Sequence, residues 1–284
     1  MRDSIDMNWK ISNIVVQNNV ILYEGYNPNV PLRAWAVKIP SKNNNIKILV
    51  SEEDDGVSTP SKVGIKWGAS VIINGGYFTR GKKPVRHVGL LKSQDSLYEP
   101  ASNSVFRENI RYNTNRGAFA IKYDNSVDIS WASTRNDSIF SWNFPFKNRP
   151  GKPASVNYIF SQYWNVREAI HAGPILIRNK NINVSSEQEV FFNTPVDGVQ
   201  PRSAIGYNKN DDIIMMVVDG RQVNSRGVYL KELAMLMKQF NCEEALNLDG
   251  GGSSSLIVNG KLINNPIGLN SEREVMSFIA IIPD

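Results

Sequence analysis

The feature that most constrains this chain is a run of three glycines and three serines between two apolar segments near its C-terminal end. Residues 245–248 predict a short buried strand, and Asp249 ends it. Residues 250–252 are glycines, residues 253–255 are serines, and a new apolar run starts at Leu256. Backbone without Cβ atoms after a carboxylate lets a ligand approach closely. A plain glycine-rich turn between two strands is the alternative interpretation.

The glycine run does not match either of the common phosphate-binding loops. It lacks the Gly-Lys-Ser/Thr ending of a Walker loop. A dinucleotide-binding loop needs a helix after its glycines, whereas Asn259-Gly260 predicts a two-residue hairpin turn after residues 256–258. The predicted order is therefore strand, glycines and hairpin.

A second carboxylate is expected at the same edge of the sheet. Residues 213–218 are entirely apolar, which predicts a central strand that ends at Asp219. Apolar residues at helical spacing predict a helix over 228–240, which returns the chain to the strand at 245–248. Such a unit has parallel strands and a right-handed crossover. The ends of the two strands, with Asp219 and Asp249, should then share one edge with the helix N-terminus, where ligands of open α/β sheets bind.

Other segments complete the predicted fold class. Residues 32–40 and 46–50 alternate apolar and polar side chains, as half-buried strands do. Thr59 is the expected N-cap of a short helix that begins at Pro60 and ends near Trp67. We therefore predict an α+β (mixed α/β) fold, with a central mixed sheet, a C-terminal βαβ unit and flanking helices.

The domain organisation is expected to be simple. A chain of 284 residues allows one large domain or two small ones, and no linker is visible in it. We predict a single domain over 1–284, with a β-rich N-terminal part at 1–55. Residues 80–84 are expected to form a polar loop, and the proline- and aromatic-rich segment 133–157 a surface insertion.

Composition excludes several classes of protein. The net charge is +5, but the lysines and arginines are scattered, so nucleic-acid binding is not predicted. No apolar run approaches ~18 residues, so no membrane span is predicted. The single cysteine, Cys242, cannot form an intramolecular disulfide. His87 and His171 are the two histidines and belong to no Cys/His cluster, so no metal site is predicted.

Eight short segments resemble the phosphodiester glycosidase family. They follow the family's order, and their combination is specific although each alone is weak. Ser203 and Ser255 stand where the family often carries threonine, and Ser271 stands where it carries glycine. The segments are N-G-G-Y-F at 74–78, A-G-P-I-L-I at 172–177, P-R-S-A-I-G at 201–206, V-D-G-R at 218–221, L-K-E-L-A at 230–234, A-L-N-L-D-G-G-G-S-S-S at 245–255, N-x-P at 264–266 and E-R-E-V at 272–275.

The resemblance implies a glycoside hydrolase that cleaves an N-acetylglucosamine-like sugar from a sugar-1-phosphodiester. Glycosidases typically use two carboxylates, so Asp249 and Asp219 are the predicted catalytic pair, with Glu272 as the substitute for either. The retaining or inverting outcome stays open, because the sequence does not say whether a strand lies between them. No cofactor is expected, and a divalent cation held by Asp219 and Asp249 is an alternative that we do not predict.

The leaving group would be a phosphate ester, which departs as an anion, so positive charge that holds the phosphate matters more than a strong general acid. Arginine suits this role because its guanidinium grips phosphate oxygens at two points. The predicted substrate-binding residues are Arg202, Arg221 and Arg273 for the phosphate, His171 as a proton or hydrogen-bond donor, and Asn74, Gly75, Gly250, Gly251 and Ser253 from the two glycine turns.

A second function remains open for the same residues. The chain could be a non-catalytic carbohydrate- or sugar-phosphate-binding protein linked to surface polysaccharide. In both cases the expected partner is a small-molecule or glycan phosphodiester. The localisation is open, and an exported protein whose leader has been removed is favoured over a cytoplasmic one because family members are often exported.

Overall fold

The computed structural model describes residues 4–41, 44–79, 81 and 83–283, so Arg80 and Lys82 of the expected polar loop lie outside the described residues. The helices of this described part are α1 (Pro60–Trp67) and α2 (Leu230–Gln239), with three short 3₁₀ turns besides. Its strands are β1 (Asn8–Ile11), β2 (Ile21–Asn27), β3 (Leu32–Ile39), β4 (Asn44–Val50), β5 (Val71–Asn74), β6 (Leu91–Ser93), β7 (Ser96–Glu99), β8 (Ser104–Arg107), β9 (Ile110–Asn113), β10 (Arg116–Ile121), β11 (Val127–Arg135), β12 (Ser138–Trp142), β13 (Ser161–Tyr163), β14 (Glu168–His171), β15 (Ile175–Arg178), β16 (Asn181–Ile182), β17 (Arg202–Asn208), β18 (Ile213–Val218), β19 (Cys242–Asn247), β20 (Leu256–Val258), β21 (Lys261–Leu262) and β22 (Ser277–Pro283).

The predicted α+β class is wrong, because strands dominate the fold. Strands take up 43% of the residues and helices 10%, and the two α-helices have 8 and 10 residues. Strands β6–β13 fill residues 91–163, where the sequence analysis described only a surface insertion at 133–157, so most of the β content was missed there. The predicted mixed sheet is also wrong, since every pairing between the described strands is antiparallel.

Three sheets and a separate hairpin, β8–β9, make up the described strands. Strands β1–β3 from the N-terminal part lie in the same sheet as β17–β19 from the C-terminal part. The N-terminal and C-terminal parts of the chain therefore pair with each other in the middle of the largest sheet, where β3 lies next to β18. The strand orders are β1-β2-β3-β18-β17-β19-β15-β16, β13-β12-β11-β10-β14-β6-β7 and β21-β20-β5-β22-β4.

The strand–helix–strand unit is present, with one difference from the prediction. Strands β18 and β19 both pair antiparallel with β17, so they run in the same direction with β17 between them. Val218 is opposite Arg202, and Asn247 is opposite Ala204. The parallel direction is therefore confirmed, although the two strands are not neighbours. Both end at the edge where β17 begins.

The core explains why residues 213–218 are uniformly apolar. Met215 and Val217 belong to the largest buried cluster, which lies between the sheets. Ile214 and Met216 belong to a second cluster, in which Leu233 of α2 covers the other face of the strand. Because β18 is buried on both faces, it lacks the alternation of a half-exposed strand.

The predicted short helix is confirmed at the residues expected for it. Helix α1 begins at Pro60 after Thr59 and ends at Trp67. Gly68 follows in the left-handed conformation at φ 62°, which favours glycine at a helix end. Val63 of this helix packs on the five-stranded sheet. None of the described helices is long and apolar enough to span a membrane.

Residues 133–157 contain the end of β11, all of β12 and a loop. Strand β12 pairs with both β11 and β13. Trp142 and Phe146 are buried in the largest cluster, with ring centroids 5.4 Å apart. This segment therefore contributes to the core as well as to the surface.

Candidate active site

The candidate site lies at the edge where β18 and β19 end and β17 begins. The end of β5 reaches the same place, because the N–H of Asp249 donates to the carbonyl of Gly75 over 3.0 Å. The N–H of Leu248 donates to the carbonyl of Ser203 over 2.9 Å. These hydrogen bonds hold the ends of β5 and β19 and the start of β17 together at Asp249, the first carboxylate of the predicted pair.

Asn74 links the segments of this junction through the hydrogen bonds of its side chain. It is fully buried, and its amide N–H donates to the carbonyl of Asp249 over 2.8 Å. Its carbonyl oxygen accepts from the hydroxyl of Ser203 over 2.6 Å and from the N–H of Ser255 over 3.2 Å. The structure therefore places Asn74 beside Asp249 with both ends of its side chain used within the protein.

Asp249 stands at the start of the glycine turn. Its side chain is half-buried and accepts the N–H of Gly250 over 2.9 Å. Gly251 adopts φ 63°, a left-handed conformation that favours glycine, and its N–H donates to the carbonyl of Pro201 over 2.9 Å. A Cβ at Gly250 would lie 2.8 Å from that same carbonyl. The glycines thus let the turn pack directly on the start of β17.

Two of the three predicted arginines lie over this turn. The guanidinium of Arg273 fills the space that a Cβ at Gly252 would need. The guanidinium of Arg221 lies 3.4 Å from the Cβ position of Gly251, and it donates twice to the side-chain oxygen of Gln200, over 2.5 and 3.1 Å. Both arginines therefore hold positive charge over the glycine turn that follows Asp249.

The third predicted arginine is directed into the protein. Arg202 is 2% exposed. Its guanidinium donates to the backbone carbonyls of Val196, Gly198 and Val228 over 2.7, 2.5 and 3.2 Å. Burial lowers the pKa of Arg202 to about 10. Three backbone acceptors leave this guanidinium little capacity for a phosphate.

Asp219 lies at the same edge and is more deeply buried than Asp249. It is 2% exposed, and its carboxylate accepts from the amide of Asn264 over 3.0 Å and from the N–H of Asn265 over 3.0 and 3.1 Å. Burial raises the pKa of Asp219, and these hydrogen bonds oppose the rise. The side chain lines a cavity of about 390 Å³ with Arg33 and Trp35 among its walls. A half-buried indole beside amides and a carboxylate is a surface to which a sugar ring can bind.

Glu272, the predicted substitute carboxylate, faces helix α1. Its carboxylate accepts the N–H of Ser61, in the first turn of that helix, over 2.7 Å. Thr59 supplies no side-chain hydrogen bond at the cap position. Glu272 therefore satisfies one of the unpaired N–H groups of the helix from a distant part of the sequence.

Comparison with known proteins agrees with the resemblance drawn from the motifs. The sequence profile of the phosphodiester glycosidase family matches residues 67–282, about three quarters of the chain. The chain belongs to the phosphodiester glycosidase family. Within the matched range, the segments at 74–78, 201–206 and 245–255 meet at the site just described.

Named relatives match this member of the phosphodiester glycosidase family over a short stretch. The mouse and human N-acetylglucosamine-1-phosphodiester alpha-N-acetylglucosaminidases are 34% and 32% identical to it over 100 residues. That stretch covers 32% of this chain and 19% of each relative, so the match spans about a fifth of their length. A prophage-derived protein of Bacillus subtilis, YomE, is 40% identical over 81 residues, which cover 28% of this chain and 12% of that protein.

Solved structures share the fold over the whole length. The catalytic domain of zebrafish N-acetylglucosamine-1-phosphodiester alpha-N-acetylglucosaminidase, auto-inhibited by its pro-peptide, superposes with a TM-score of 0.64 at 19% identity. That match covers 100% of this chain and 86% of the zebrafish one. A hypothetical protein from Synechocystis superposes with a TM-score of 0.66 at 16% identity, over 99% of this chain and 64% of the other. At these identities the matches establish the fold alone.

The histidine that sequence analysis selected is buried with the other one. His171 is 1% exposed, and its Nε2 lies 3.1 Å from the carbonyl oxygen of Ala132, to which it donates. Burial, together with the charge of Arg116 and the neighbouring His87, lowers the pKa of His171 to about 3. His87 is 3% exposed, and burial lowers its pKa to about 4. Both imidazoles are therefore neutral near pH 7, where His171 cannot act as a cationic acid.

Tyr77 is a site residue that the sequence analysis did not select, although it belongs to the quoted N-G-G-Y-F motif. Its hydroxyl donates to the carbonyl of Gly173 over 2.9 Å and accepts from the amide of Asn247 over 3.0 Å. Burial and the negative charge of Asp249 raise the pKa of Tyr77, and the positive charges of Arg202 and Arg116 oppose the rise. Tyr77 therefore lies within electrostatic reach of both Asp249 and Arg116.

Ser253, which was predicted to bind substrate, is buried behind the glycine turn. Its hydroxyl, like those of Ser254 and Ser255, is buried with no hydrogen-bond partner among the described residues. The predicted Gly75 packs against Ser277, whose carbonyl accepts the Gly75 N–H over 2.7 Å.

No group of three or more His, Cys, Asp or Glu residues suited to a metal occurs in the part of the chain that the structure describes.

Proposed function

We propose that this chain hydrolyses the bond between an N-acetylglucosamine-like sugar and the phosphate of a sugar-1-phosphodiester. The single observation that carries the proposal is the position of Asp249. This half-buried carboxylate lies where the ends of β5 and β19 meet the start of β17, and it begins the glycine turn over which the guanidinium groups of Arg221 and Arg273 lie. Family membership and the names of the relatives support the same reaction.

Asp249 is the proposed carboxylate at the anomeric carbon. In the overall reaction, the oxygen of a water molecule forms a bond to that carbon, the bond from the carbon to the phosphate oxygen breaks, and one proton of the water is released to the solvent. The phosphate ester leaves as an anion, so the reaction does not require a strong general acid. Positive charge around the leaving group stabilises that anion. Because no strong general acid is required, the neutral state of His171 is compatible with this reaction.

The decisive experiment is hydrolysis of a chromogenic ester of N-acetylglucosamine-1-phosphate by the parent and by Asp249→Asn. The variant keeps the shape of the side chain and removes its charge. We expect the rate to fall by at least about a hundredfold. Asp211→Asn is the matched control, because Asp211 is an exposed turn carboxylate, and we expect it to match the parent.

The other outcomes separate the alternatives. No release by the parent, combined with protection against heat by N-acetylglucosamine-1-phosphate, would favour the non-catalytic binding protein. Equal rates for the parent and Asp249→Asn would remove Asp249 from the mechanism. We expect turnover to persist in a chelator, since no cofactor is proposed, and a loss would favour a divalent cation at Asp219 and Asp249.

A further inference from the structure

Two arginines outside the motif segments form no ion pair among the described contacts. Arg116 begins β10, and Arg107 ends β8. Arg116 is 7% exposed, and the positive charge of Arg107 is near enough to lower the pKa of Arg116, although burial is the larger cause. The Nε atoms of both guanidinium groups are buried, with no hydrogen-bond partner among the described residues. Two like charges at close range repel each other unless an anion lies between them.

The nearest buried carboxylate is already occupied. Glu189 is fully buried, and its two oxygens accept from the N–H groups of Gly117 and Ile175, the indole of Trp131 and the hydroxyl of Ser185 over 2.5 to 2.9 Å. It forms neither an ion pair nor a hydrogen bond with the two arginines among the described contacts. Its charge therefore acts on Arg116 only at a distance.

The arginine pair borders the candidate active site. The guanidinium carbon of Arg116 lies 4.4 Å from the centre of the Phe191 ring, and that ring lies 5.7 Å from the ring of Tyr77. Tyr77 in turn is within electrostatic reach of both Asp249 and Arg116. A ligand at Tyr77 is thus near Phe191 and the guanidinium of Arg116.

We infer that Arg107 and Arg116 form an anion-binding pair that receives the phosphate of the phosphodiester substrate. This inference rests on the proposed function and names the residues that select for phosphate. A buried guanidinium without a partner is costly, and such a group is retained most readily where a ligand compensates it. Planar guanidinium groups bind phosphate oxygens at two points, which suits this pair better than Arg202, whose donors are directed to backbone carbonyls.

The test compares two substrates that differ in the phosphate. The first is a chromogenic ester of N-acetylglucosamine-1-phosphate, and the second is a neutral aryl α-N-acetylglucosaminide. For Arg116→Met and Arg107→Met we expect kcat/KM on the phosphodiester to fall by about ten- to a hundredfold. We expect the rate on the neutral glycoside to stay within about twofold of the parent, because nothing that contacts the sugar has changed.

Arg111→Met is the matched control, since it removes the same charge from the same hairpin. Arg111 is exposed and donates to Ser104, with its guanidinium against Phe106. We expect it to match the parent on both substrates. An equal fall on both substrates in the two test variants, or no fall on the phosphodiester, would overturn the inference. If Arg116→Met does not fold, the half-buried Arg107 decides the outcome.

Direct binding separates this inference from the proposed function. If the parent cleaves neither substrate, isothermal titration with N-acetylglucosamine-1-phosphate and with N-acetylglucosamine replaces the rate measurement. A preference for the phosphorylated sugar that is present in the parent and lost in both test variants would support the pair even without turnover. A parent that shows no such preference would overturn the inference, whereas turnover with unchanged variants would overturn it and leave the hydrolase proposal standing.

Discussion

At the scale of the residue, the structure separates side chains that face the site from side chains that hold it together. Asn74 was selected as a sugar-binding residue, and the structure uses it to join Asp249, Ser203 and Ser255. Asn74 is fully buried, and a buried amide without hydrogen-bond partners carries the full desolvation cost of its polar atoms.

We predict that Asn74→Ala lowers the free energy of unfolding by about 2–3 kcal/mol, since it leaves the hydroxyl of Ser203 and the N–H of Ser255 without their acceptor. Ser203→Ala is the comparison, because it removes only one of these hydrogen bonds, and we expect a loss of about 1 kcal/mol. Urea denaturation measures both. A loss for Asn74→Ala no larger than that for Ser203→Ala would contradict the assigned role.

The two buried histidines predict a pH dependence of stability. Their pKa values in the folded protein, about 3 for His171 and about 4 for His87, lie below the ordinary value of 6.5. The unfolded chain therefore binds more protons between pH 6.5 and 4, and stability falls as the pH falls through that window. Glu168 and Glu189 act in the opposite sense, because burial raises the pKa of each.

We predict that His171→Gln flattens this dependence, reducing the loss of unfolding free energy between pH 6.5 and 4.5 by about 2 kcal/mol. The opposing carboxyl groups are present in both proteins, so the difference between parent and variant isolates the histidine. Denaturant titrations at several pH values measure it. Identical slopes for the parent and the variant would show that His171 does not titrate below its unfolded value.

The arginines show what a sequence can and cannot indicate at this scale. Asp249, Arg221 and Arg273 were selected from the motifs, and the structure brings them together at one turn. Arg202 was selected on the same grounds, yet its donors are directed to backbone carbonyls. Arg116 lies outside the quoted motifs. Its position near Phe191 and Tyr77 depends on how two separate sheets meet, which no local pattern indicates.

At the scale of the element, strong local patterns predicted individual strands and one short helix. The alternation in β3, the apolar run in β18 and the Pro60 start of α1 are all found at the expected residues. The pairing of these elements could not be predicted, because β17 enters between β18 and β19 through contacts that no local pattern encodes. The overall class was wrong because many of the strands between β6 and β13 were not predicted, so the strand content was underestimated.

The cap on α1 gives a prediction at this scale. We expect Glu272→Ala to destabilise the protein by about 1 kcal/mol, because the N–H of Ser61 loses its acceptor. The rate of hydrolysis should change by less than about threefold if capping is its whole role. Thr59→Ala is the control and should cost little, since Thr59 forms no side-chain cap hydrogen bond.

Thermal unfolding and the chromogenic assay, run on the same samples, distinguish the roles of Glu272. A fall in rate of a hundredfold or more without loss of stability would return Glu272 to the catalytic carboxylates. A loss of stability with the rate retained would leave Asp249 and Asp219 as the pair.

The intervening strand predicts the stereochemistry if Asp219 and Asp249 are that pair. Strands β18 and β19 are separated by β17, which places them about 9.6 Å apart. Inverting glycosidases hold their carboxyl groups roughly 6.5–9.5 Å apart and retaining ones about 5 Å apart. We therefore expect the released sugar to have the inverted anomeric configuration, and proton NMR during the first minutes of reaction measures it. A first product of retained configuration would show that Asp219 and Asp249 do not act as an inverting pair.

At the scale of the whole molecule, one carboxylate links two sheets. Glu189 accepts hydrogen bonds from Gly117 and Trp131 of the seven-stranded sheet and from Ile175 of the eight-stranded sheet. We predict that Glu189→Gln lowers the free energy of unfolding by at least about 3 kcal/mol, because an amide directs N–H groups at donors that need acceptors.

The matched control is Glu187→Gln, an exposed change of the same kind two residues away, which should stay within about 0.5 kcal/mol of the parent. Chemical denaturation of both variants measures the difference. Equal stability of the two would mean that the sheets are held together by the apolar cluster alone.

The arrangement of β3 beside β18 has a consequence for how the chain is made. Strand β3 is complete early in translation, but the strand that covers one of its edges is at residues 213–218. At typical rates of synthesis the ribosome needs roughly 10 to 40 s to cover that interval. For that time Leu32, Ala34 and Ala36 lack the helix and strand that bury them. Production of this protein in cells should therefore depend on temperature and on chaperones that shield the nascent chain.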